Sequence, residues 1–532
     1  MTHGAIAAGH PQTAAAGIEI LKQGGNAFDA AIAAFLAAFV VESMLTSPAG
    51  GGFLLARQAT GQATLFDFFS QTPRQQRLSA ELDFYPIDVN FGDALQRFQI
   101  GMGSIAVPGN LAGVFHVHRR LGSLPLEQLV EPALDYAESG TEFDSFQEYC
   151  LQILGPIVTS QPAGAAIYRP QGQLLRAGDR LVNPDLGASL RAFSRQGAQL
   201  LYGGELGQQL VQDCQQHGGH LSLDDLQQYQ VIERSPLRYH YRGVELLTNP
   251  APSSGGCLIA FALGLLARGQ LLQNFGQAET HLQSLVQAMR STNQARQAHF
   301  DPALYDPEID TRFLATDLID QYVPSQSSTA IANELVTPST HANAKLAGGS
   351  KWGSTTHISV LDEHGNIASI TSSNGEGSGY VIPNTGIMLN NMLGEADLNP
   401  NGFHNWICDR RLSSMMAPSL LIRDQQPFAV LGSGGSNRIR TAVLQVILNL
   451  VDLGLPVATA VHAPRLHWEA SLLNWEPGFD GGEIETCLAD AEAQLAWSGA
   501  NMFFGGVHTL TCVDGVIAGA GDRRRNGVFL QC

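Results

Sequence analysis

The stretch Thr355-Thr356-His357-Ile358-Ser359-Val360 decides more about this chain than any other. It follows Gly353-Ser354, alternates apolar and polar side chains, and runs into a turn at Asp362-Glu363-His364-Gly365-Asn366 before a second strand through Thr371. Alternation bounded by turn residues predicts a β-hairpin whose first strand opens on a run of hydroxyls. If the bond between Ser354 and Thr355 is cut, Thr355 carries a nucleophilic hydroxyl and a free amine on one residue. A threonine activated by its own terminal amine is a known route to covalent catalysis. An α-amino group titrates near ~8, which suits a general base at working pH. The plain alternative is a half-buried hairpin with solvated hydroxyls.

The bulk properties narrow the field. The 532 residues are 44% hydrophobic and 15% charged, as expected of a globular protein with a large core. A net charge of −18 argues against nucleic acid or an anionic membrane as partner. The 7 cysteines, odd in number and without a CxxC pair, suggest neither a disulfide framework nor a zinc site. Met1-Thr2-His3-Gly4 lacks the basic and apolar regions of a secretory signal, and the apolar run 30–41 is too short to span a bilayer. A cytoplasmic enzyme is the resulting expectation.

Working outward from the hairpin, helices are predicted over 12–23 and 27–42, the first closed by Gly24-Gly25 and the second capped by Asn26. The second is apolar nearly all round and is expected between layers. Strands are predicted at 53–56 and 64–68, then helices at 111–120, 126–139, 186–195, 258–268 and 282–299, with one strand near 244–247. A hairpin 419–423 with 428–432 and a helix 438–453 follow. Helices packed on sheet faces are the implied α+β arrangement. Residues 324–354, rich in Ser, Thr, Ala and Gly, read as a flexible connector ahead of Thr355.

Several separated motifs share a common resemblance. Ala8-Gly9-His10-Pro11 through Gly24-Gly25-Asn26-Ala27-Phe28-Asp29, Ala106-Val107-Pro108-Gly109-Asn110, Pro250-Ala251-Pro252-Ser253-Ser254-Gly255-Gly256 and Asp522-Arg523-Arg524 resemble the γ-glutamyltranspeptidase family in order. So do Thr355-Thr356-His357-Ile358-Ser359-Val360, Gly386-Ile387-Met388-Leu389-Asn390-Asn391, Ser413-Ser414-Met415 and Gly432-Ser433-Gly434-Gly435-Ser436. The resemblance implies a four-layer αββα sandwich of the N-terminal-nucleophile hydrolase class. It also implies self-cleavage into a large chain 1–354 and a small chain 355–532, with a higher oligomer of these as an open option, and no metal or organic cofactor. By the same resemblance Thr355 is the nucleophile, attacking a γ-glutamyl or related amide and passing the acyl group to water, an amino acid or a peptide. Gly434 and Gly435 match the oxyanion-hole pair, Ser413 and Ser414 the hydroxyls on the substrate's α-carboxylate, and Ser373 a second hydroxyl near the nucleophile's amine. Asn374 matches a substrate-binding Asn, in a loop shorter than the family's, and Glu395 an acid that holds the substrate's amino group.

Two departures stand out. The family's Asp-x-Arg-Glu-x-x-Pro becomes Asp67-Phe68-Phe69-Ser70-Gln71-Thr72-Pro73, so Phe69 replaces the Arg that forks onto the α-carboxylate and Ser70 replaces the Glu. Met392 stands where the family usually has Gln. A bidentate Arg–carboxylate contact is strong and geometry-specific, so its loss weakens recognition of an ordinary γ-glutamyl group. Arg74 is a nearby substitute, although a surface role suits it better. Three readings remain open: a γ-glutamyl hydrolase or transferase, an acylase for a non-glutamyl (glutaryl-like) group, and a degenerate member with a structural or binding role. His10, His357 and His364 lack ligand spacing and read as hydrogen-bonded structural histidines, and Asp522-Arg523-Arg524-Arg525 as an ion-pair turn.

Overall fold

The computed structural model describes residues 3–90, 95–268, 278–323, 353–488 and 492–532. The predicted connector 324–354 lies outside them except for its last two residues. Two antiparallel sheets stack face to face. The first, of seven strands, runs in the order Val528–Gln531, Gly4–Ala8, Thr356–Asp362, Ile367–Ser373, Gly51–Arg57, Ala63–Phe68, Ile232–Arg234. The second, of six, runs Val516–Ala520, Gly506–Val513, Gln426–Gly434, Ser419–Arg423, Val244–Thr248, Leu237–Tyr241. Helices Pro11–Lys22 and Ala27–Val41 cover the outer face of the first sheet, and Gly255–Leu266 and Arg438–Val451 cover that of the second. This is the four-layer αββα sandwich that the resemblance implied.

The central strand Thr356–Asp362 is buried along its whole length, so its alternation marks two interior faces of different chemistry. Ile358 and Val360 pack with Phe35 and Phe39 of the helix layer. On the opposite face His357 and Ser359 enter the space between the sheets. His357 Nδ1 lies 2.8 Å from Thr371 Oγ1 and its Nε2 2.9 Å from Ser359 Oγ, while Ser359 donates to the His508 carbonyl at 3.0 Å. Burial drives His357 well below the ordinary histidine range, as befits a neutral hydrogen-bonding ring. The hydroxyls of this hairpin are therefore not solvated. Ala27–Val41 is wholly buried, and Asn26 closes a capping box with Asp29.

Several elements went unread in the sequence. Gly4–Ala8 is a central strand built from small residues, a composition with weak strand propensity. The hairpin Tyr85–Asn90 with Leu95–Ile100 and the helices Ser145–Val158 and Glu205–Gln216 also lay in stretches given no element. The strand near 244–247 has a partner, Leu237–Tyr241. No helix among the described residues is long and apolar enough to cross a membrane.

The ion-pair turn at Asp522 is a buried knot. Asp522 meets Arg465 at 2.7 Å and Arg524 at 3.2 Å, and it accepts the Val507 N–H at 2.9 Å. Arg524 also pairs with Glu476. Burial pushes the Asp522 carboxyl up, but the two guanidiniums and the backbone N–H groups outweigh it and hold the group well below the usual range. A carboxyl depressed on folding stabilises fully above its unfolded pKa of about 3.9 and loses that contribution as pH falls below it. Asp522→Asn is expected to cost about 3–5 kcal/mol, because Arg465 keeps its burial and loses its countercharge while Arg524 is left with Glu476 alone. Urea titrations at pH 7 and pH 3 check this: the gap between wild type and variant narrows in acid, and equal midpoints at pH 7 would rule the knot out as a stabilising element.

Candidate active site

The residues around Thr355 are gathered from both sheets and from the turns that leave them. Thr355 precedes the first residue of its strand, where Thr356 pairs with Ser372. The adjacent strand ends at Ser373, and Gln426–Gly434 of the second sheet ends at Gly434, opposite Gly506. Segment 353–355 passes between these ends. Its carbonyls are each occupied: Arg525 donates to Thr355 O at 3.1 Å and to Gly353 O at 3.0 Å, and the Ser373 hydroxyl donates to Ser354 O. Ser373 Oγ also accepts the Gly375 N–H at 3.0 Å. A Cβ built on Gly434 would fall 2.1 Å from Thr355 O, and Gly435 sits at φ +127°, so both positions require glycine.

Thr355 and Thr356 have different surroundings. Thr356 Oγ1 donates to Glu42 Oε2 at 2.5 Å, on the buried side, and Glu42 also accepts from Thr13 at 2.6 Å. Thr355 instead lines an open cavity of about 450 Å³. Its walls include Ser354, Ser373, Glu376, Glu395, Asp397 and Ser414, with Phe69, Met392, Met415, Met416 and Ile439 as the apolar side.

Ser354, Thr355, Ser373, Glu395 and Ser414 therefore converge on the cavity wall, while Gly434, Gly435, Ser413 and Asn374 do not line it. Ser413 lies beside the cavity and not on its wall, and the Asn374 amide turns toward the carbonyls of Met388 and Leu389 at 3.4 and 3.3 Å. Glu376, two residues beyond Asn374, takes the place facing the cavity. Its carboxylate accepts the Ser354 N–H at 3.1 Å and the Ser354 hydroxyl. Burial pushes its pKa up to about 7, against the pull of Ser354, Arg525 and Arg438. Glu395 is driven up further by burial and by the neighbouring Glu376 charge, and its Oε1 has no hydrogen-bond partner among the described residues. Sequence reasoning missed Glu376 and Arg525. The glycines on either side of Glu376 were the available signal for the first: Gly375 and Gly377 take φ of +60° and +86°.

Phe69 stands on the cavity wall, fully buried and stacked on Phe53 with ring centroids 5.3 Å apart. Arg74 does not replace the missing guanidinium, since it pairs with Asp224 and Asp409 on the surface. Arg411 lies close behind, but it is committed to Asp67 at 3.2 Å, to Phe69 O at 3.1 Å and to Gln230 O at 2.6 Å. The cavity thus pairs three acidic side chains with an apolar wall. Among the described residues no group of three His, Cys, Asp or Glu side chains is arranged to hold a metal ion.

Two stacked antiparallel sheets between helix layers, with a threonine at the start of a central strand beside a cavity, define the N-terminal-nucleophile class of hydrolases and acyltransferases. A family model described as gamma-glutamyltranspeptidase matches residues 13–532, and the chain belongs to that family. It is 32% identical to the acylase ACY 1 proenzyme of Pseudomonas sp. (strain V22) over 537 residues, covering 99% of this chain and 93% of the relative. It is 30% identical to the glutathione hydrolase proenzyme of Escherichia coli (strain K12), covering 90% and 83% of the two. The cephalosporin acylase of Bacillus halodurans shares the fold, with a TM-score of 0.84 at 23% identity, covering 99% of this chain and 96% of that one. The chain is accordingly an enzyme, a self-processing hydrolase or acyltransferase.

Proposed function

We propose that the chain cuts itself between Ser354 and Thr355 and then uses the Thr355 hydroxyl, with its new amine as base, to take the acyl group from an amide. The observation that carries this is the arrangement at the bond itself. The Ser373 hydroxyl donates to the Ser354 carbonyl, and Thr355 borders the cavity while the neighbouring Thr356 hydroxyl is engaged behind it. Gly434, packed against the Thr355 carbonyl, and Gly435, beside Gly505 and the Arg525 guanidinium, are the oxyanion donors of this reading. Residues 355–532 form the small chain, and Ser373, Ser414 and Glu395 serve the substrate, with Asn374 and Ser413 supporting from behind.

The pocket favours acylase-type chemistry. Neither Arg74 nor Arg411 is available to fork onto an α-carboxylate, so in this reading an acyl donor is recognised by apolar contact with Phe69, Met392 and Ile439 and by hydrogen bonds to the carboxyls. Relatives named acylase and glutathione hydrolase are similar to this chain to nearly the same degree, 32% and 30% identical, and the apolar Phe69 on the cavity wall supports the acylase reading. Water is the simplest acceptor for an acyl group so held. The test sets a γ-glutamyl anilide against a glutaryl anilide on protein shown by intact mass to be cut. Phe69→Arg should raise kcat/KM for the γ-glutamyl anilide about tenfold or more, the worth of one charged hydrogen-bonded contact. An unchanged preference in that variant would mean that position 69 does not set the acyl specificity. A chain that never cuts would instead be a non-catalytic family member.

A further inference from the structure

Glu376 is held where it is by its backbone. The turn Asn374–Gly377 uses two left-handed glycines, the Glu376 N–H donates to Asn391 Oδ1 at 2.8 Å, and a Cβ on Gly375 would fall 2.1 Å from that same oxygen. The side chain emerges 3% exposed beneath Ser354 and accepts both donors of that residue, N–H and O–H. A buried carboxylate that spends both oxygens on one residue fixes that residue's orientation. Here the residue contributes the carbonyl of the bond to be cut.

We propose that Glu376 is the positioning residue for self-cleavage, gripping Ser354 from below so that its carbonyl carbon faces the Thr355 hydroxyl. This rests on the reading that the chain cuts before Thr355. In that step the Thr355 Oγ–carbonyl carbon bond forms and the Ser354–Thr355 C–N bond breaks. The hydroxyl proton ends on the Thr355 nitrogen. Water then hydrolyses the ester, leaving a Ser354 carboxylate and restoring the Thr355 hydroxyl. Glu376 touches neither reacting atom; it holds the acyl half while Ser373 donates to its oxygen.

Only the ionised Glu376 is acceptor-only on both oxygens; protonation turns one of them into an O–H donor and weakens its grip on the Ser354 donors. Burial places its titration near pH 7, with the Ser354 donors, Arg525 and Arg438 pulling the other way. Of the acidic groups around it, Asp397 and Glu395 stand on the same cavity wall, Glu395 is pushed up by the Glu376 charge, and burial holds the Cys150 thiol up at about 12 and so neutral. Cleavage should therefore quicken as pH rises through about 7.

The experiment follows cleavage of freshly purified full-length chain by intact mass from pH 5.5 to 8.5. Wild type should cut with a rate that climbs across neutrality. Glu376→Gln, which keeps the shape, should cut at least about tenfold more slowly and lose that climb, with its melting temperature close to wild type. Ser354→Ala probes the same contact from the other side and leaves Glu376 intact. It too should slow cleavage, and the double variant should be no slower than Glu376→Gln alone. If Glu376→Gln proves insoluble, the pH climb of wild type and its loss of rate in Ser354→Ala decide the matter. Wild type that cuts beside a Glu376→Gln variant of equal rate and profile overturns the positioning role alone, as do single-variant effects that multiply in the double variant. Wild type that stays whole overturns the cleavage reading as well.

Discussion

Thr355→Ala is expected to leave the chain in one piece and to lower amide turnover by roughly four to six orders of magnitude, the scale set by removing a nucleophile that works as part of a unit. The reason is local. Self-cleavage and turnover draw on one hydroxyl, and the adjacent Thr356 is unsuited to take over, because its Oγ1 is bound to Glu42 on the far side of the strand. Thr355→Ser, which keeps the hydroxyl, should still cut. Intact mass under denaturing conditions reads both outcomes. Two fragments from the alanine variant would move the cleavage site away from Thr355 and would undo the mechanism.

Gly434→Ala should have the next largest effect, a loss of at least about a hundredfold in both cleavage and turnover. Its new Cβ would lie 2.1 Å from the Thr355 carbonyl oxygen and 2.9 Å from the carbonyl carbon, both main-chain atoms that give way only if the strand start moves. Displacements of about 1 Å at a reacting centre cost on the order of a hundredfold, and a lost oxyanion donor costs as much again. The distinguishing readout is where the loss falls. A shift confined to KM would make Gly434 a packing residue only, whereas a fall in kcat at an unchanged melting temperature places it at the reacting atoms.

How much of this was legible in the chain depended on the kind of signal. Periodicity gave the buried helix 27–41 and the hairpin after Thr355, because long amphipathic or uniformly apolar runs survive any tertiary context. It failed at Gly4–Ala8, where alanines carry almost no strand preference and burial between two neighbours decides. It also left open whether the polar side of the Thr356 strand was wet, since alternation looks the same whether the polar face meets water or a second sheet. Of the site residues brought by motif, Thr355, Ser373, Glu395 and Ser414 line one cavity, but Asn374 drew attention from Glu376, whose meaning depends on a turn that throws it back under Ser354. Arg525 was hidden for a similar reason. In sequence it is the end of a charged run, whereas in space its guanidinium straddles the bond before Thr355, touching Gly353 O and Thr355 O.

The strand order of the larger sheet carries one more consequence. Read across, it passes from 528–531 to 4–8, to 356–362 and 367–373, and then to 51–57, 63–68 and 232–234. A cut after Ser354 would turn this into small chain, large chain, small chain twice, and large chain three times, laced together by main-chain ladders. The two pieces could not drift apart without tearing the sheet, so cleavage would release no fragment under native conditions. Once unfolded, however, they would be separate molecules. The precursor returns to its fold at a rate independent of dilution, whereas the cut protein would have to find its other half, and its recovery would fall with concentration. The single peptide bond before Thr355 would thus divide a chain that can renature alone from a pair assembled once.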